Sequence, residues 1–148
     1  MKTLTVIDTF GLFFRLFYAL KSLKNSKGKD SGMIKGFADF IYTLESEFQS
    51  DYIIFALDSK GEGVRNDIDK DYKSNRTEPP QELKEQLPIC IQMIKDMGFA
   101  YFEKQRYEAD DIIASVVRFC EDKDIFVRII SQDKDLYQLI KNDKVSIY

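Results

Sequence analysis

The stretch Tyr52-Ile53-Ile54-Phe55-Ala56-Leu57-Asp58 decides the fold. A near-continuous apolar run of this length, too short for a helix, describes a strand covered on both faces, and such strands belong to parallel sheets flanked by helices. A central position in the sheet is expected. The run ends on an aspartate, which matters because parallel α/β sheets build their sites just beyond the carboxyl ends of the strands. Residues 4–8 end in the same way, on Asp8. Residues 126–131 are followed by Gln132 and Asp133, with Asp135 two positions on. A fourth strand candidate, residues 99–103, leads to Tyr107-Glu108-Ala109-Asp110-Asp111 at a helix start.

Helical patterns separate these strands. Residues 10–20 place Phe13, Phe14, Phe17 and Tyr18 at helical spacing and are read as core. Residues 21–32, rich in Lys, Ser, Gly and Asn, read as a loop, after which Met33, Ile34, Phe37, Phe40, Ile41 and Leu44 form one apolar helix face. Pro79 and Pro80 open a helix with the stripe Leu83, Leu87, Ile91 and Ile94, closed by Gly98. The helix beginning near Glu108 buries Ala109, Ile112, Ile113, Val116, Val117 and Cys120, and a short helix over 136–140 precedes a last strand at 145–148. The alternation predicts one α/β domain over residues 1–148, a parallel sheet with helices on both faces. Residues 59–80 interrupt it: apolar side chains almost vanish there, and a mobile segment is expected.

Composition limits the chemistry. A chain of 148 residues with 44% hydrophobic and 14% aromatic content has the means for a real core. There is no histidine, which removes serine–histidine and cysteine–histidine schemes and the usual zinc ligand sets. Carboxylates are what remains, and hard oxygen ligands select Mg²⁺ or Mn²⁺. Cys90 and Cys120, both among apolar helix positions, read as reduced core thiols. No apolar run reaches the ~20 residues of a membrane span, and a cytoplasmic location is the default expectation.

Several strand ends carrying acids make a shared rim of seven carboxylates: Asp8, Asp58, Glu108, Asp110, Asp111, Asp133 and Asp135. Each has a structural alternative, as a turn residue or as an acid stabilised at a helix N-terminus by ~0.3–1 kcal/mol. Two carboxylates ~5 Å apart repel by roughly 3 kcal/mol at an effective dielectric of ~20, so a convergent cluster calls for divalent cations. Two such ions suit a phosphodiester displacement. In 59–80, Lys73 and Arg76 stand at i and i+3 and would share a helix face toward an incoming phosphate; the alternative is a solvated loop of mixed charge.

Taken in order, Val-Ile-Asp8 with Phe14-Arg15, Phe55-Ala-Leu-Asp58-Ser-Lys60-Gly61, Asp71-Tyr72-Lys73-Ser74-Asn75-Arg76, Tyr107-Glu108-Ala109-Asp110-Asp111 and Ser131-Gln-Asp133-Lys134-Asp135-Leu136 resemble the 5′ nuclease domains of bacterial DNA polymerase I. The resemblance runs along nearly the whole chain. It implies a PIN-like fold, with the seven acids at positions used for two metal ions, Mg²⁺ or Mn²⁺, and Asp110 among the catalytic residues. It further implies that Lys73 and Arg76 belong to a basic arch acting on the phosphate to be cut, and that Arg15 contacts another phosphate. The implied substrates are DNA with 5′ flaps and RNA primers, cut during replication and repair in the bacterial cytoplasm and nucleoid. Two departures accompany it. Thr9 stands where the family usually has glycine after its first aspartate. The family's further aspartate pair and helix–hairpin–helix region have no counterpart before Tyr148, so an amino-terminal subdomain of a larger polymerase, with an incomplete second metal site, is expected. The competing readings are a small PIN-type ribonuclease and a nucleic-acid-binding module without activity.

Overall fold

A computed structural model describes residues 1–58, 79–140 and 143–148. The segment expected to be mobile, with Lys73 and Arg76, thus lies outside the described residues except for Pro79 and Pro80.

Among the described residues, five parallel strands form one sheet in the order β3-β2-β1-β4-β5. They are β1 (Lys2–Asp8), β2 (Tyr52–Leu57), β3 (Ala100–Glu103), β4 (Ile125–Ile130) and β5 (Val145–Ile147). The helices are α1 (Thr9–Ala19), α2 (Gly32–Ser46), α3 (Gln81–Asp96) and α4 (Ala109–Cys120), with a 3₁₀ helix at Lys134–Leu139. The expected α/β class is what forms. The central strand, however, is β1, which pairs with β2 from Leu4↔Tyr52 to Asp8↔Ala56 and with β4 from Lys2↔Ile125 to Ile7↔Ile130. The apolar run of β2 reflects cover on both faces, and this holds one strand away from the middle as well.

Successive residues of β1 point to opposite faces and feed two cores. Ile7 packs with Leu12, Phe13, Phe17, Met33, Phe37, Leu44, Phe55, Leu83 and Ile94 beneath α1, α2 and α3. Leu4 and Val6 pack on the other side with Ala109, Ile113, Val117, Val127, Ile129 and Leu136, beneath α4 and the 3₁₀ helix. Cys90 belongs to the first core and Cys120 to the second, so the sheet separates them, and both are free and buried as expected.

Three helix readings need correction. Of the four aromatic residues read as core in α1, Phe13 and Phe17 are buried, whereas Phe14 and Tyr18 are 37% and 56% exposed. An apolar arc on one helix is wider than the single face the sheet can cover. On α3 the fully buried positions are Leu83, Gln86, Cys90 and Ile94, and Leu87 and Ile91 pack only at the margin. Val116 of α4 is half-buried. Gly98 does close α3, at φ 77°, a backbone conformation that favours glycine.

Gln86 explains its own burial. Its Oε1 accepts the backbone N–H groups of Met33 at 3.1 Å and Ile34 at 3.3 Å, and its Nε2 donates to the Glu82 carbonyl at 3.3 Å. The first turn of α2 lacks a side-chain cap from Ser31, so α3 supplies one across the packing interface. Among the described residues no helix is long and apolar enough to cross a membrane.

Candidate active site

The strand order reverses at β1, between β2 on one side and β4 on the other. Reversal leaves a crevice beyond the carboxyl ends of those strands, because the connections after them depart to opposite faces. Asp8 closes β1, Asp58 directly follows β2, and Ser131 directly follows β4. The acids anticipated at three strand ends are therefore brought to the same edge of the sheet.

Asp8 is the best defined. It stands at the N-cap position of α1 with φ −74° and ψ 93°, and no cap bond from its side chain. Its Oδ2 instead accepts the Ser131 hydroxyl at 2.8 Å. Burial pushes the Asp8 carboxyl above its ordinary value; the Ser131 hydroxyl and the Gly11 backbone N–H oppose this, and the charges of Asp58 and Asp133 push it up again. Asp58 and Asp133 thus lie close enough for their charges to act on Asp8, whose setting disfavours its own negative charge.

Asp58 reaches across to the next element. Its Oδ1 accepts the Ala109 N–H at 2.6 Å, tying the end of β2 to the first residue of α4. Glu108 and Asp111 form a reciprocal capping box, in which the Asp111 carboxylate accepts the Glu108 N–H at 2.9 Å. The helix-cap alternative for these two acids is thus realised. Asp110, between them, is half-buried in the first turn of α4.

Asp133 caps the 3₁₀ helix, its Oδ1 accepting the Asp135 N–H at 2.9 Å, while its own N–H donates to Ser131 Oγ at 3.0 Å. Asp135 is exposed. Arg15 is exposed on α1, seven residues past Asp8 and so nearly two helical turns along on the same side. Thr9 is fully buried, and its hydroxyl donates back to the Ile7 carbonyl at 3.3 Å, so the side chain that replaces the expected glycine is accommodated against β1.

Ser131 is the site residue that sequence reasoning passed over. A serine after a buried strand and two positions before an acid was the available signal, but serines are common in turns for local reasons.

The acids at this edge offer carboxylate oxygens, the chemistry hard divalent cations prefer, and Asp8, raised chiefly by burial and further by the charges of Asp58 and Asp133, is a group whose ionised form a nearby cation would favour. Among the described residues no three of these acids are drawn into one metal-binding group. The residues fit such an ion by donor type and by electrostatics.

The family model of the 5′-3′ exonuclease N-terminal resolvase-like domain matches residues 3–148. The chain belongs to this family. Two curated relatives match it along nearly its whole length. A 5′-3′ exonuclease of Aquifex aeolicus is 35% identical over 147 residues, which is 99% of this chain and 51% of that protein. DNA polymerase I of Deinococcus radiodurans is 37% identical over 138 residues, 93% of this chain and 14% of that one. The chain thus spans about half the length of one curated relative and a small part of the other. The flap endonuclease of bacteriophage T5, solved as a pseudo-enzyme–product complex with DNA and metal ions, superposes with a TM-score of 0.70 at 25% identity, covering 99% of this chain and 54% of that structure.

Proposed function

We propose that this chain is the amino-terminal part of a metal-dependent 5′ nuclease, a 5′-3′ exonuclease and flap endonuclease of the DNA polymerase I type. It would hydrolyse phosphodiesters at the 5′ ends of branched DNA and RNA primers in replication and repair. The observation that carries this reading is the Asp8–Ser131 hydrogen bond at the strand-order reversal, which holds an acid raised by burial beside Asp58 and Asp133. Family membership and a DNA- and metal-bound relative of the same fold support it.

Asp8, Asp58, Glu108, Asp110, Asp111, Asp133 and Asp135 would hold Mg²⁺ or Mn²⁺. Such ions, when bound, would supply charge compensation for a phosphodiester displacement. The chain's own residues do the rest. The Asp58–Ala109 and Asp8–Ser131 bonds set the carboxylates of β1 and β2 against α4 and the β4 turn, so that their orientation is fixed before substrate arrives. Lys73 and Arg76 would meet the scissile phosphate and the single-stranded 5′ end, and Arg15, farther along α1, a second phosphate. The arch role given to 59–80, like the two-ion count, is part of this proposal.

A substrate panel tests it. The protein carrying this chain is given a 5′-flap DNA, a single-stranded RNA and a linear duplex with Mg²⁺, Mn²⁺ or EDTA. Metal-dependent cutting near the flap junction is expected. Cutting of single-stranded RNA alone would assign a PIN-type ribonuclease, and retention of flap DNA without cutting in either metal would assign a binding module.

A further inference from the structure

Asp8 Oδ2 is approached from two sides, by Ser131 and by Gly11. One is Ser131, which is 9% exposed and whose N–H is held by the Tyr148 carbonyl at 3.0 Å. The Asp133 N–H can only donate, so Ser131 Oγ is its acceptor at 3.0 Å, and the single hydroxyl hydrogen is left for Asp8 Oδ2 at 2.8 Å. The direction of the bond is thereby fixed. The other is Gly11, where a Cβ would come within 2.7 Å of the same Oδ2 and 3.1 Å of Asp8 Cγ. Gly11 is the third residue of α1 and has no positive φ, so the backbone does not demand glycine there. Alanine is the better helix former, and the room that glycine leaves for the carboxylate accounts for its place here.

We infer that Ser131 and Gly11 are positioning residues for Asp8. The hydroxyl aims the carboxylate and links it to the turn that carries Asp133, so the two acids are set as one unit. The bare Cα of Gly11 allows the carboxylate to lie back over the first turn of α1. This rests on reading the site as a divalent-metal centre. Ser131 and Gly11 touch neither substrate nor ion; they act through Asp8.

Four variants of the protein carrying this chain test the assignment: Ser131→Val, Ser131→Thr, Ser131→Ala and Gly11→Ala. Val and Thr have the same shape and differ in the hydroxyl. The primary readout is Mn²⁺ affinity, followed by the electron paramagnetic resonance of free Mn²⁺, at a temperature well below every melting point. Loss of a group that orients a metal ligand typically costs ~10–100-fold in metal affinity. Ser131→Val, Ser131→Ala and Gly11→Ala are expected to show that loss while Ser131→Thr stays near the parent, and kcat should fall with KM for DNA retained. Equal Mn²⁺ affinity in Val and Thr variants, with Gly11→Ala at the parental value, overturns the inference while leaving the proposed function standing. If Ser131→Val does not fold, Gly11→Ala and the Ala–Thr pair decide the matter. A parent protein that binds no Mn²⁺ and cuts no flap overturns both.

Discussion

Asp58 Oδ1 and the Ala109 backbone nitrogen, 51 residues apart in the chain, stand 2.6 Å from each other and join the end of β2 to the start of α4. One carboxylate thereby does two things. It satisfies a helix N-terminal donor, and it adds negative charge beside Asp8.

The two roles separate by substitution. Asp58→Ala removes both the acceptor and the charge, whereas Asp58→Asn keeps an oxygen for Ala109 and relieves Asp8. Loss of an N-terminal acceptor costs ~0.5–2 kcal/mol. Metal-free melting temperatures should therefore rank Asn variant, parent, Ala variant from high to low. Neither variant should gain the parental stabilisation on adding Mn²⁺, about 2.7 kcal/mol at 100 times the dissociation constant. Thermal scans with and without EDTA check both statements.

The raised Asp8 carboxyl sets a pH dependence. Below its ordinary value of 3.8 the group holds its proton in folded and unfolded chains alike, and its charge costs the fold nothing. As pH climbs through the raised folded value, the folded state must give up a proton it holds more tightly than the unfolded chain does, and stability falls. Asp8→Asn abolishes this loss while keeping an acceptor for Ser131. The variant should melt above the parent at pH 7 in EDTA, and the difference should shrink to nothing near pH 3. A gap independent of pH would mean that packing, not charge, separates the two.

Much of this arrangement was legible in the sequence, and the reasons are physical. Strands covered on both faces announce themselves as short apolar runs, which is why β1, β2 and β4 and the acids at their ends stood out. The aromatic arc of α1 could not reveal which side the sheet covers, so Phe14 and Tyr18 were assigned to a core they do not enter. Gln86 was invisible because its value lies in a bond to a helix 53 residues away. Glu108 and Asp111 carried two readings from the start, and the capping box realises one without removing the other. Ser131 escaped because a hydroxyl's partner is a property of the fold and not of its neighbours in the chain.

Gln86 offers a test of the packing between α2 and α3. Gln86→Met keeps the side chain's length but leaves the Met33 and Ile34 amides without their acceptor in a buried site. An unsatisfied buried donor costs ~1–3 kcal/mol. A fall in melting temperature of roughly 2–4 °C per kcal/mol is expected, with faster hydrogen exchange at the Met33 and Ile34 amides. Unchanged exchange there would show that water replaces the glutamine.

The cysteines should be silent in the native state. Burial pushes the Cys90 thiol up to about 12 and raises Cys120 as well, so the reactive thiolate is scarce and shielded. Ellman's reagent at pH 7 should register no fast thiol in native buffer and two after urea unfolding. Rapid labelling before unfolding would show that one of the helices α3 or α4 opens locally.

The central claim is that the acids gathered at the carboxyl edge of the sheet perform phosphodiester hydrolysis. Single-turnover cleavage of a 5′-flap DNA in Mg²⁺, measured beside equilibrium binding for the parent protein and Asp8→Asn, tests it most directly. The account predicts that the parent cuts, that EDTA stops it, and that Asp8→Asn binds the flap at least as tightly without cutting, because a negative charge has been removed from a site that accepts a polyanion. Parental cleavage rates in Asp8→Asn would contradict it.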